Sequence, residues 1–398
     1  MAQRVGMYGH GAPRGRAPRG HGSRGGFRIP LIIGAALVAV IVGVVATHAY
    51  SSTPSGGSGT GTLPASTTPI TVTSFSPPPN GAALASNATV EIHFDAAVDP
   101  HSTMPTWSPP VAGTWKLVNA STLAFTPSAP FVPYQSYTLQ IPQGQNGLRG
   151  TKGQLVAGAT TATFTVQNGS TLRVQQLLAE LGYLPVNFVP NSPALPPQDM
   201  AEPQQGSFTW RWPTPGPLQA LWAPGVDNTM TKGAIMAFES VEGLPTDGIA
   251  GPEVWSYLLK AVAQHKDNPR GYTWIYVTET PQPELLHLWH NGSYVIVSKT
   301  NTGISSSPTP LGTFTVYAHY RSVLMQGRNP NGTPYYDPHV PWVAYFHAGG
   351  FAVHGFYRAH YGFPQSLGCV ELPIRGHDPI AEQVWQYDHV GTLVTIVP

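Results

Sequence analysis

Proline and glycine interrupt this chain so often that long regular helices are excluded over most of its length. There are 43 Gly and 42 Pro in 398 residues, and only 10% of residues are charged, well under the usual quarter. Such punctuation favours short strands joined by tight turns over helical bundles. Period-two alternation occurs in Thr89-Val-Glu-Ile-His-Phe94, where Val90, Ile92 and Phe94 share one face and Glu91 and His93 the other. Residues 123–125, 137–141 and 163–166 read as further strands, and their spacing predicts a small β-sandwich over 70–168.

The period then changes. Val174, Leu177, Leu178 and Leu181 recur at helical spacing, and Gly182 ends that helix. A second helix is expected over 230–241, with Ala234, Ile235 and Phe238 inward, and a third opens at Gly251-Pro252 and buries Val254, Trp255 and Leu258. This predicts a three-helix module over 169–264. Its Pro/Trp-rich insertion, 185–228, carries Trp210, Trp212 and Trp222, suited either to stacking on sugar rings or to packing between domains. Residues 271–398 return to strand-like runs at 272–277, 285–289, 293–297, 312–317 and 392–397. Asn291-Gly292 supplies a two-residue hairpin turn, and one helix is expected over 378–387, with Ile380, Val384 and Trp385 on one face. The fold class is therefore a multidomain, mainly β chain with one small helical bundle.

The N-terminus sets the expected compartment. Residues 1–28 hold six arginines and no acid, which leaves the remainder of a chain of net charge +1 at −5. No aromatic or folded platform accompanies the arginines, so nucleic acid is not the expected partner. The uncharged apolar run that follows predicts a transmembrane helix over 29–48. The basic flank holds 1–28 in the cytoplasm and places the rest outside, with 49–69 as a Ser/Thr/Gly/Pro linker. A cleaved signal peptide is the competing reading, and Ala46-Thr-His-Ala49 offers it only a poor cleavage site.

The chemistry converges near the C-terminus. Cys369 is the sole cysteine, and His354 lies fifteen positions upstream. A thiolate is the strongest side-chain nucleophile near neutral pH, and an imidazole can shuttle its proton. Gly368 permits a sharp turn that presents the sulfur beside backbone N–H groups able to form an oxyanion hole. By residue type alone, a lone cysteine is as well explained as a small buried hydrophobe.

Ala352-Val-His354-Gly355 followed by Ser366-Leu-Gly368-Cys369-Val-Glu-Leu372 resembles the signature of the bacterial L,D-transpeptidases, the YkuD-type catalytic domain. The likeness extends through Asn291-Gly292, Ser307-Pro-Thr-Pro-Leu-Gly312-Thr-Phe and Pro341-Trp to cover about 125 residues. It implies that Cys369 is the nucleophile and His354 the general base and acid. The Gly355 carbonyl would orient His354, and the amides of Gly368 and Cys369 would form the oxyanion hole. Ser366, Tyr336, Trp342, Glu371 and Arg321 are the expected substrate-binding residues. Tyr317, Met325, His347 and Tyr361 are further candidates for the cleft wall, and Arg328 joins Arg321 on an expected lid over 318–340. The implied substrates are peptidoglycan stem peptides and glycan, with carbapenem β-lactams as covalent inhibitors and no cofactor or metal. The 169–264 module is similar to a three-helix peptidoglycan-binding module through Asp247-Gly248-Ile249-Ala-Gly251-Pro-Glu-Val-Trp255, and 70–168 resembles a bacterial Ig-like module.

Two positions depart from the family pattern: Leu367 stands where it has histidine, and Glu371 where it has arginine or asparagine. A carboxylate at 371 would repel a substrate carboxylate that an arginine would attract. Three other readings remain open at this point. Water in place of an amine would make the chain an L,D-carboxypeptidase, loss of activity would leave a wall-binding scaffold, and His339, His347, His354 and His360 raise a zinc peptidase, though without helical ligand spacing.

Overall fold

The computed structural model describes residues 68–375 and 379–398. The basic tail, the apolar run and nearly all of the linker lie outside the described residues, as does Asp378. Among the described residues no helix is long and apolar enough to cross a membrane.

The first domain is a two-sheet sandwich. One sheet is built from β1 (Ile70–Ser76), β2 (Val90–Phe94), β4 (Gly113–Asn119), β5 (Thr122–Pro127) and β7 (Val156–Ala157), in the order β4-β5-β2-β1-β7. The other is β3 (Thr106–Ser108), β6 (Ser136–Gln140) and β8 (Thr161–Thr165), in the order β3-β6-β8. Alternation aims Val90, Ile92 and Phe94 inward. Trp107 fills the space between the sheets, with ring centroids 5.6 Å from Phe125, 5.2 Å from Phe131 and 5.7 Å from Phe164. No side chain of this domain reaches the C-terminal cleft described below.

The middle segment packs α1 (Thr171–Glu180), α3 (Thr229–Glu242) and α4 (Pro252–Ala263) around Leu177, Leu178, Phe238, Trp255 and Leu258. Asn228 caps α3 by accepting from the Thr231 N–H at 2.9 Å. The Asp247-Gly248 element closes the turn before α4. The Ile249 N–H donates to Asp247 Oδ1 and the Gly248 N–H to Glu239 Oε2, while Gly248 takes φ +73°, open to glycine at little cost. The expected insertion is more ordered than its composition suggested. β9 (Val186–Pro190) and β10 (Gly206–Trp210) form an antiparallel ribbon, followed by a single turn, α2 (Gly216–Gln219). Its tryptophans pack rather than stand free: Trp222 lies edge-on to Phe208 and Trp212 edge-on to Trp289 of the last domain.

The last domain has two sheets. One runs β13-β12-β11-β19-β14, from β11 (Thr273–Thr278), β12 (Leu285–His290), β13 (Ser293–Lys299), β14 (Gly312–Thr315) and β19 (Leu393–Val397). The second runs β15-β16-β17-β18, from β15 (Ala318–Arg328), β16 (Pro334–His347), β17 (Phe351–Gly355) and β18 (Val370–Leu372). Helix α5 (Ile380–Tyr387) starts after Pro379 and buries Ala381 and Val384. The expected lid, 318–340, is a regular antiparallel hairpin of β15 and β16. Pro334 and Pro341 break its sequence alternation, so it did not read as strand. The helical segment and this domain share one apolar core, in which Leu177, Phe238 and Trp255 are continuous with Trp274, Trp289 and Leu393.

Candidate active site

The parallel pair β17–β18 builds the site. Val353 aligns with Val370 and His354 with Glu371. Extending the register one step back sets Cys369 beside Ala352, and residues two apart on a strand share a face. Ala352 and His354 therefore face the same way as Cys369, while Val353 and Val370 go into the core behind them. Fifteen residues of separation collapse in this way to neighbouring positions on one sheet face.

Cys369 opens onto a cleft of about 560 Å³, lined also by His354, Ser366, Leu367 and Glu371, by Met325, Tyr335 and Asp337 of the β15–β16 hairpin, and by Phe356, Arg358 and Gln365 of the loop after β17. The turn before the cysteine needs glycine. Gly368 has φ +110°, and a Cβ there would run into the Phe351 ring. Ser366, 1% exposed, ties this turn: its hydroxyl donates to the Cys369 carbonyl at 2.6 Å and accepts from the Gly368 N–H at 3.0 Å. This corrects two expectations. The Gly368 amide already has a protein acceptor and does not face an oxyanion, which leaves the Cys369 amide as the donor the turn offers. The Ser366 hydroxyl, although Ser366 lines the cleft, is already engaged within the turn.

His354 is 3% exposed, and its Nδ1 lies 3.0 Å from the Gly355 carbonyl. A carbonyl only accepts, so Nδ1 carries the hydrogen and Nε2 is left as the basic nitrogen. Burial lowers the imidazole pKa, partly offset by that carbonyl and by Glu371, with Arg358 acting in the lowering sense. Cys369 keeps partial solvent access, yet the surrounding protein pushes its thiol up to about 12. Burial is the main cause and Glu371 adds to it, against the Ala352 N–H, which favours the thiolate. The thiol donates to the Gly350 carbonyl at 3.6 Å and is not hydrogen-bonded to His354. Both shifts favour a resting pair of neutral thiol and neutral imidazole.

Glu371 does not confront the cleft as a bare carboxylate. Its side chain is 4% exposed and takes a two-pronged ion pair from Arg358, Nε to Oε2 at 2.8 Å and Nη2 to Oε1 at 2.7 Å. The expected repulsion of a substrate carboxylate is therefore cancelled at its source. Arg358 does not stand out in the sequence because it sits in a loop without periodicity, and the one signal that could have found it is Glu371, a carboxylate that needs a cation once it is buried.

Three expected substrate contacts lie elsewhere. Tyr336 is 65% exposed, and alternation along β16 gives the cleft Tyr335 and Asp337 instead. Trp342 packs against Trp385 of α5, and Arg321 lies over the Trp342 ring at 5.2 Å. Of the further candidates, Met325 lines the cleft. Tyr317 stacks on Tyr345 and His347 packs on Phe314. Tyr361 accepts from the Arg358 N–H at 3.1 Å, buttressing the loop, and Arg328 donates to the Gly332 carbonyl at the hairpin tip. Among the described residues no three His, Cys, Asp or Glu side chains gather as a metal cage.

The chain is thus a mainly β, multidomain protein whose last domain holds a thiol and an imidazole in one cleft. Residues 273–396 match the family model of the L,D-transpeptidase catalytic domain, YkuD, and residues 66–166 match that of a bacterial Ig-like domain. The chain therefore carries an L,D-transpeptidase catalytic domain behind an Ig-like one. Among solved structures it is similar to an L,D-transpeptidase from Mycobacterium smegmatis, at 13% identity over 83% of this chain and 100% of that one, TM-score 0.27. It is also similar to L,D-transpeptidase 3 from Mycobacterium tuberculosis, at 12% identity over 82% and 99%, TM-score 0.28. The catalytic domain of the E. faecium L,D-transpeptidase is 23% identical over 31% of this chain and 96% of that one, TM-score 0.27. No curated protein matches the chain.

Proposed function

We propose that the chain forms 3→3 cross-links in peptidoglycan through a thioester on Cys369. The reading is carried by one observation: Cys369 and an Nδ1-protonated His354 share a face of the β17–β18 pair and one cleft. The donor is a tetrapeptide stem whose third residue has an L-centre linked to a terminal D-residue. Cys369 Sγ attacks that carbonyl as its proton passes to His354 Nε2. The C–N bond breaks, and the imidazole returns the proton to the leaving amine. A side-chain amine of a second stem then attacks the thioester. Its proton goes to Nε2 and on to the departing thiolate, which restores Cys369. The neutral resting pair supports concerted proton transfer over a preformed thiolate–imidazolium.

In this reading the helical module, 169–264, holds the enzyme on the wall, and the basic segment and apolar run anchor it in a bacterial cell membrane with its folded domains outside. The test uses intact-mass spectrometry of the wild type, Cys369→Ala and His354→Ala with a carbapenem and with stem tetrapeptide plus an amine acceptor. The expected result is one covalent adduct on the wild type, none on Cys369→Ala, slow formation on His354→Ala, and a dimeric peptide product. An adduct that persists in Cys369→Ala refutes the thioester, and release of the D-residue without dimer assigns water as acceptor.

A further inference from the structure

We infer that Arg358, clamped by Glu371, is the group that binds a free carboxylate of the donor peptide, an assignment that rests on the proposed acyl transfer at Cys369. The charged residues lining the cleft are Asp337, Arg358 and Glu371, so Arg358 is the one cation among them. Asp337 makes no ion pair with any described residue. An anionic substrate group therefore meets a carboxylate on the hairpin wall and a guanidinium on the loop after β17.

The guanidinium is held ready for such a group. Nε and Nη2 are fixed on Glu371, Nη2 also reaches the Gln365 carbonyl at 3.4 Å, and the plane lies over the Phe356 ring at 4.7 Å. Asn301 Nδ2 also donates to Glu371 Oε2 at 3.4 Å. Nη1 donates to no described residue, and the side chain keeps 30% of its exposure. With Nε and Nη2 engaged, Nη1 is the nitrogen left for a ligand, and a guanidinium pinned in this way loses little side-chain freedom when it binds an anionic group such as a carboxylate. Glu371 thus serves as the anchor that orients Arg358, and it does not contact the substrate.

Two carboxylates of the donor could fill the place: the side-chain carboxylate of a diaminopimelate third residue, or that of the terminal D-residue. Kinetics of the full chain separate them. The donors are the free stem tetrapeptide, the tetrapeptide amidated at the third-residue side chain, and the tetrapeptide amidated at its C-terminus. The proteins are wild type and Arg358→Gln/Glu371→Gln, which removes both charges together and leaves no buried carboxylate unpaired. A neutral p-nitrophenyl acyl ester, read as acylation of Cys369, reports whether the nucleophile is intact in each.

The double variant is expected to lose about 10- to 100-fold in kcat/KM on the free tetrapeptide, taken relative to its own rate of acylation by the neutral ester, which absorbs any change that loss of Glu371 makes at the thiol. Amidation of one of the two positions should cost the wild type a similar factor and cost the variant nothing further, and that position identifies the carboxylate. The inference is overturned if the wild type is indifferent to both amides, or if the losses from variant and amide multiply. If the wild type acylates with neither ester nor peptide, the cysteine reading itself fails, an outcome distinct from normal acylation with carboxylate-blind kinetics.

Discussion

The environment of Cys369 makes a quantitative statement about how its thiol should respond to pH. Burial moves the thiol from 9.0 to about 12. At pH 8 an unperturbed thiol is about one-tenth thiolate, whereas one at about 12 is thiolate in roughly one molecule in 10⁴. Alkylation by iodoacetamide at pH 8 should thus run about 30- to 60-fold slower than with a small thiol of ordinary pKa, because the greater nucleophilicity of the more basic thiolate offsets part of its scarcity. Steric cover could also slow the reaction, but it cannot change the slope. The logarithm of the rate should rise by about one per pH unit through pH 10 with no plateau. A plateau with its midpoint below about pH 8 would refute the neutral-pair reading.

The His354→Ala variant sharpens the same test. His354 is not among the groups that set the thiol's pKa, so the alkylation profile should keep its shape in the variant. A thiolate–imidazolium pair would instead lose its stabilising cation, and the profile would move to higher pH. Acylation by substrate should behave differently, falling about 10²- to 10⁴-fold in the variant because the general base is gone. In the proposed mechanism the base is neutral His354, whose pKa burial holds below the ordinary imidazole value. Acylation should therefore hold its rate down to about pH 6.5 and fall only as pH drops through that lowered value.

Three further outcomes follow. Gly368→Ala forces a Cβ into the Phe351 ring at φ +110°, and should cost about 2–3 kcal/mol in a urea melt and abolish acylation of Cys369. Gly233→Ala should gain about 1 kcal/mol from helix propensity alone. Its Cβ would lie 2.6 Å from the Gly391 carbonyl and 2.9 Å from Leu393 Cδ2, however, so a fall in Tm is expected and a rise would disprove the close approach. Burial, with some help from Asp247 and against the Gly248 N–H, raises Glu239 from 4.5 to about 7. That carboxyl's contribution is complete below pH 4.5 and is lost as pH rises through about 7. Glu239→Gln should match the wild type at pH 4 and exceed it at pH 8 by up to about 3 kcal/mol in denaturant melts.

What was legible in the sequence was local. The Asn291-Gly292 turn joins β12 to β13, Val90, Ile92 and Phe94 point inward, and Gly251-Pro252 opens α4, because each is decided within a few residues by backbone preference and period. A motif compressed the placement of the site, bringing Cys369 and His354 to one cleft with the Gly355 carbonyl on Nδ1, but it did not show that the Gly368 amide is spent on Ser366. The long hairpin was not legible, since Pro334, Pro341 and Gly327 interrupt the alternation while pairing across the sheet restores it. That lost register is why Tyr336 was chosen over Tyr335 and Asp337. Trp212 was ambiguous for a different reason. Its partner, Trp289, lies 77 positions on in another domain, and nothing periodic links them.

Glu371 is the most instructive departure, because restoring the residue type usual in the family should harm this protein. Arg358 and Glu371 act on His354 in opposite senses, so together they leave the imidazole governed mainly by burial. Glu371→Arg would remove the acceptor of both Arg358 bonds and set a second guanidinium beside the first in a position 4% exposed. Breaking a buried pair by removing one partner costs about 3–5 kcal/mol, and the like charge adds to it. The added cation should also depress the imidazole further. A urea midpoint well below the wild type is expected for Glu371→Arg, with Arg358→Gln/Glu371→Gln lying between them. A Glu371→Arg protein as stable and as readily acylated as the wild type would show that the ion pair is incidental to the site. The charge at this position is thus set by its partner thirteen residues upstream, and the two positions must be read as one unit.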